Sequence, residues 1–267
     1  MLDNSSVYKS KTRYEIMHFI NARQKTYRNS TEIYIPNKPY EKLESGYEPD
    51  KKQTFNSGTP IATSEDEKLE RTTRRAYIRI KDIVLSNDFD MFATFTFKNG
   101  RNDAELCKSR MSGWLKRRRK HDKSFQYVIV SEFHSDGLSL HFHALISGYT
   151  DNVVRAINPK TGKPLVKRGR QVYDFPNYTL GHSEIYYLGD TEEDRIKTGF
   201  YLMKYIKKDM PVFSNKKRYW ASLGLNRPLV IDSPQEWYLA LTPDHVIQMD
   251  YGKYLFFSNK RVEIFLP

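Results

Sequence analysis

The chain has 267 residues, 39% hydrophobic and 28% charged, which supplies enough apolar material for a substantial core and excludes a chain that is disordered or fibrous along most of its length. Lys and Arg number 44 against 32 Asp and Glu, a net charge of +12 that favours a polyanionic partner, nucleic acid before membrane, because no amphipathic basic helix with an aromatic face stands out. Cys107 is the only cysteine, which excludes an internal disulfide framework and a cysteine-rich metal site. No apolar stretch approaches the ~18 residues of a membrane span, and Met1 to Lys11 lacks the apolar run of a signal peptide, so a soluble, cytoplasmic protein in a reducing compartment is expected.

Residues 1–62 read as a basic, partly irregular appendage: Arg13 to Lys25 has the pattern of a short helix, and four prolines punctuate the polar stretch that follows. Ser64-Glu-Asp-Glu67 is a capping-box pattern heading a basic helix that reaches about Leu85. Phe92 to Phe97 alternates as a strand, and after an Asn-Gly turn Cys107, Met111, Trp114 and Leu115 fall on one helical stripe. Phe125 to Glu132 and Leu138 to Ser147 flank an Asp-Gly turn and predict a hairpin. Lys160 to Arg170 is a basic excursion, His182 to Leu188 a strand, and Asp190 to Lys208 a helix with acids first and lysines last. The mixture predicts an α+β fold, an antiparallel sheet with flanking helices, over residues 63–228, with 229–267 as an extension packing on that same domain.

Chemistry concentrates at two places. Period-two alternation in Leu140-His-Phe-His-Ala-Leu-Ile146 puts His141 and His143 on one strand face and the apolar residues on the other. Glu132 closes the partner strand, and in either odd register it joins that face, opposite His141 or His143; the even register sends it to the Phe142 side. His134 is a weaker substitute. Two imidazoles and a carboxylate suit Mn²⁺ or Mg²⁺ acting on a phosphate. On the last helix Tyr201, Lys204, Tyr205 and Lys208 share one arc of the helical wheel, while Leu202, Met203 and Ile206 share another. A phenol whose pKa, about 10 unperturbed, is lowered by a cation is a competent nucleophile toward phosphorus.

In order and approximate spacing, the Phe92–Phe97 strand, the Glu132 to His141-Phe-His143 hairpin and the Tyr201–Lys208 helix resemble the three motifs of HUH endonucleases. The resemblance is to the two-tyrosine rolling-circle replication initiators of small phages and plasmids. It covers about Leu69 to Pro228. It implies a ferredoxin-like or palm-type core that nicks one DNA strand at an origin. A tyrosine becomes joined to the 5′ phosphate, and a 3′ hydroxyl is left to prime synthesis before the strand is rejoined. It further implies His141, His143 and Glu132 as metal ligands, Tyr201 and Tyr205 as nucleophiles, and Lys204 and Lys208 as positioning groups. Single-stranded or origin DNA, a host helicase and a polymerase are the implied partners, in a bacterial host cell. No Gly-x-x-x-x-Gly-Lys-Ser/Thr is present, so no fused helicase is expected.

Two basic clusters are candidate DNA contacts: Lys116, Arg117, Arg118, Arg119 and Lys120 at a helix end, and Lys167, Arg168 and Arg170 in the excursion. Each has an alternative reading, as dipole-favoured helix-end cations or as a solvated loop. A transposase or relaxase of the same nickase class, a non-catalytic nucleic-acid-binding module and a non-haem iron oxygenase are the rival functions. The oxygenase leaves the tyrosine helix and the positive charge unexplained.

Overall fold

The computed structural model describes residues 22–37, 64–189, 191–206, 213, 218–232, 242–249 and 252–258. The chain divides into two compact units, Thr63–Asn226 and the combined ends Met1–Ala62 with Arg227–Pro267. The fold is α+β, with antiparallel sheets and, among the described residues, three helices.

The unit made of the two chain ends contains a five-stranded sheet. Strands β1 (Arg23–Thr26) and β2 (Ser30–Pro36) pair with each other, β12 (Leu229–Asp232) adds to β1, and β14 (Gly252–Ser258) adds to β2 with β13 (His245–Met249) outside it. Its small core is Ala22, Ile33, Ile35 and Phe257. Two sequence expectations are corrected here. Residues 229–267 do not extend the 63–228 domain, since their described strands pair with the N-terminal strands in a separate unit. The helix expected over Arg13 to Lys25 lies mostly outside the described residues, and its last three positions are extended in β1 because they complete this sheet.

The unit Thr63–Asn226 opens with α1 (Glu65–Ser86). Ser64 Oγ accepts from the Glu67 N–H while the Glu67 carboxylate accepts from the Ser64 N–H, so the capping box is complete. β3 (Met91–Phe95) and α2 (Ala104–His121) follow, then the hairpin of β4 (Gln126–Phe133) and β5 (Leu140–Ser147). After the two-residue strands β6 (Val154–Arg155), β7 (Val166–Lys167), β8 (Arg170–Gln171) and β9 (Tyr173–Asp174) come β10 (Ser183–Tyr187), α3 (Glu192–Met203) and β11 (Tyr219–Ala221). The main sheet has the order β11-β4-β5-β3-β10-β9-β6, and β7 and β8 form a separate hairpin.

Alternation along the strands gives this sheet two apolar faces, each covered by helix. On one, Ala93, Phe95, Ile129, Phe142, Ala144 and Ile185 pack with Cys107, Met111, Trp114 and Leu115 of α2. On the other, Phe92, Val128, Val130 and Leu145 pack with Ile80, Ile83 and Val84 of α1 and Leu202 and Met203 of α3. Burying each such large side chain contributes about 1.5–3 kcal/mol. Helices α1 and α3 approach closely at Gly199, where an added Cβ would lie 2.2 Å from Val84 Cγ1. Among the described residues no helix is long and apolar enough to cross a membrane.

Candidate active site

The histidines stand on the face covered by α1 and α3. Of the two odd registers, the β4–β5 hairpin adopts the one that sets Glu132 opposite His141 and Val130 opposite His143. Two cross-strand rows follow from the pairing of β3 with β5 and β10. One runs Val130, His143, Thr94, Glu184; the next, farther along the strands, carries Glu132 and His141. His143 Nε2 lies 3.2 Å from Glu132 Oε2, and its Nδ1 lies 3.1 Å from Thr94 Oγ1. The imidazole is thus held at both nitrogens, which fixes its ring plane. His143 is 5% exposed, whereas His141 is half-buried. Burial and the neighbouring His134 and His143 hold His141 below the ordinary imidazole range.

Tyr205 joins this group directly. Its ring stacks on His143 with centroids 3.7 Å apart and planes 10° apart. Tyr201 sits edge-on to Tyr205 at 5.5 Å and to Phe92 at 5.6 Å, and the Lys204 ammonium lies 4.9 Å from the Tyr201 ring centroid. Burial, a hydrogen bond with Tyr201 and the charges of Tyr201 and Glu132 push the Tyr205 phenol up, while Arg168 acts in the opposite direction.

The local backbone explains the placement. α3 ends at Met203, and the Tyr205 and Ile206 N–H groups then bond the Leu202 and Met203 carbonyls, a tightened turn with i to i−3 bonds. The helix predicted to continue to Lys208 therefore stops earlier, and Lys204 is its C-cap. Tightening swings Tyr205 off the solvent arc of the wheel and onto His143, while Tyr201 stays 38% exposed. Lys208 lies outside the described residues.

The basic clusters are placed differently from each other. The α2 stripe packs on the sheet face opposite the histidines. At its C-terminal end Arg118 pairs with Asp151, and the Arg119 guanidinium donates to the carbonyls of Lys123, Phe125 and Leu223. Lys116, Arg117 and Lys120 are exposed. In the β7–β8 hairpin, Lys167 pairs with Glu184, and Arg170 donates to the Tyr187 carbonyl at 2.7 Å while lying over the Tyr186 ring. Those anchors belong to β10, two strands from β5, so the hairpin folds back on the histidine face. Arg168, at its tip with φ 50°, is near enough to act on Tyr205.

Sequence reasoning missed Thr94, which orients His143, and Glu184, which anchors the hairpin. The signal was present in the period-two alternation of Phe92 to Phe97 and of His182 to Leu188, which puts Thr94 and Glu184 on the histidine face once the strand order is known.

The donor set bears directly on a metal. Two ligands at about 2.1 Å and a right angle apart lie ~3 Å from each other, and the His143 Nε2 to Glu132 Oε2 separation of 3.2 Å matches that spacing. His141 is the donor that must turn in, with its ring centroid 6.3 Å from that of His143. Among the described residues no three His, Cys, Asp or Glu side chains are already drawn together around one point.

A family model for replication-associated proteins of the ORF2 type matches residues 90–210, the stretch from β3 past the tyrosine helix. The match supports a replication-initiator family, and hence a replication-associated, DNA-binding role. No curated protein and no solved structure matches the chain.

Proposed function

We propose that the protein nicks one strand of single-stranded or origin DNA by tyrosine attack on a backbone phosphate and rejoins it, as a rolling-circle initiator of the two-tyrosine HUH kind. The observation that carries this reading is the stacking of Tyr205 on His143, with Tyr201 against it, because it unites the two chemical groups of the sequence at one place. The match of residues 90–210 to replication-associated proteins supports the biological setting.

His141, His143 and Glu132 would hold a divalent cation, Mn²⁺ or Mg²⁺, whose chemistry is to neutralise and polarise the phosphate. The remaining roles fall to the chain itself. A phenol oxygen of Tyr201 or Tyr205 attacks phosphorus and releases its proton to solvent. The bond from phosphorus to the 3′ oxygen breaks, and that oxygen takes up a proton to become the 3′ hydroxyl. Rejoining is the reverse, with the 3′ oxygen attacking and the tyrosine leaving. Lys204 and Arg168 supply positive charge beside the two rings, which favours phenolate over phenol and attracts the phosphate. A host helicase and a polymerase acting on the 3′ end complete the proposed cycle.

The test is incubation of closed circular single-stranded DNA with the protein in Mn²⁺ or in EDTA. Wild type is expected to open circles in Mn²⁺ alone, and His143→Ala to bind DNA with little change yet open none, because charge-driven phosphate contacts supply most non-specific affinity. Undiminished opening by His143→Ala, or by wild type in EDTA, would refute the metal-assisted reading. Binding with no opening under any condition would favour a non-catalytic module.

A further inference from the structure

Beyond His141, on the side away from the tyrosines, the same face opens into a cleft of about 630 Å³ lined by Thr96, Lys98, Arg101, His134, His141 and His182. The ring contacts give the order along the sheet: Tyr205 lies 3.7 Å from His143, His143 6.3 Å from His141, and His141 4.7 Å from His134. The cleft therefore begins where the histidine pair ends. Lys98, Arg101 and His182 are exposed, and their side chains make no hydrogen bond or ion pair with any described residue. The one carboxylate in the lining, Asp136, is turned onto the Ser139 hydroxyl and the Leu138 and Ser139 N–H groups. What remains is a concave, nucleotide-sized space with uncommitted cations.

Displacement at phosphorus proceeds in line, so the leaving oxygen lies opposite the attacking one. With the tyrosines on one side of the histidine pair, the leaving 3′ oxygen points to the other. We infer that this cleft holds the nucleotides that end in the freed 3′ hydroxyl, with Lys98 and Arg101 on their phosphates, so that the end stays in place for rejoining. The inference rests on the tyrosine-attack reading above and adds to it a second DNA site, separate from both basic clusters singled out in the sequence.

After cleavage nothing covalent holds the 3′ end at the site, whereas the 5′ end is fixed to tyrosine. Loss of the cleft should therefore weaken rejoining more than cleavage. The experiment uses closed circular single-stranded DNA with Mn²⁺ and follows two products of one reaction: protein–DNA adduct on a denaturing gel, and circles resealed after opening. For Lys98→Ala/Arg101→Ala the ratio of adduct to resealed circle should rise about tenfold over wild type, and Lys98→Arg/Arg101→Lys should restore it. An unchanged ratio, or equal loss of adduct and resealing, would overturn the assignment of the cleft while leaving tyrosine attack intact. Absence of adduct from wild type would overturn both.

Discussion

His143 is the residue on which the site turns, since it touches Glu132 through Nε2, Thr94 through Nδ1 and Tyr205 through its ring face. Thr94 is the partner that reaches neither the tyrosines nor Glu132, so its effect is separable. Groups that orient a metal-binding imidazole typically affect metal affinity or activity by about 10–100-fold. Thr94→Val keeps the β-branched shape and removes the hydroxyl. It is expected to raise the Mn²⁺ concentration needed for half-maximal nicking about tenfold, with saturating Mn²⁺ restoring much of the rate. An unchanged Mn²⁺ dependence would show that the ring is oriented by packing alone. At this scale the sequence revealed the chemistry but not its support. His141, His143 and Glu132 are legible because alternation within one hairpin is local. Thr94 and Glu184 are not, because their strands are joined to that hairpin only through tertiary pairing.

Among the elements, α3 matters most to function, and its position is set by Gly199. The 2.2 Å approach that a Cβ would make to Val84 means that Gly199→Ala must push α3 away from α1. Overpacking of this kind costs typically ~1–3 kcal/mol, and the displacement carries the tyrosines with it. Gly199→Ala is expected to fold with a lowered Tm and to lose adduct formation about 100-fold, more than its stability loss explains, because misplacement near 1 Å can cost that much. Wild-type cleavage by a destabilised Gly199→Ala would mean that the tyrosines find their position independently of the helix contact. The helices themselves were legible to different degrees. The capping box at Ser64 announces α1, and the Cys107 to Leu115 stripe announces α2. The end of α3 was misread because the wheel assumes continuous α-helix, and the tightened turn after Met203 breaks that assumption. The correction matters chemically, since it brings Tyr205 to His143.

For the molecule as a whole, a net charge of +12 predicts strongly salt-dependent DNA binding, and the fold says which charges contribute. The β7–β8 hairpin is anchored to the histidine face, while Arg118 and Arg119 are engaged in holding loops beside α2. Replacing Lys167, Arg168 and Arg170 by Ala should flatten the slope of log affinity against log salt by about 0.7–0.9 for each phosphate no longer neutralised. Arg119→Ala should instead lower Tm and leave the slope nearly unchanged, because its guanidinium is committed to three carbonyls. A slope unaffected by the hairpin triple mutant would make that hairpin a solvated loop. The domain plan was the least legible feature. β1 pairs with β12 across more than two hundred residues of chain, Arg23 meeting Asp232. Local periodicity carries no trace of such a pairing, so the C-terminal stretch was assigned to the wrong unit.

The central claim is that two tyrosines one turn apart, packed against one histidine, act as nucleophiles on DNA. Its most direct measurement is digestion of the protein–DNA adduct formed on circular single-stranded DNA in Mn²⁺, followed by mass spectrometry of the nucleotide-bearing peptide. Wild type, Tyr201→Phe, Tyr205→Phe and the double mutant should be compared, because Phe keeps each ring and removes only its oxygen. The account predicts adduct at the remaining tyrosine in each single mutant and none in Tyr201→Phe/Tyr205→Phe. Adduct surviving in the double mutant, or attached to any other residue, would contradict it.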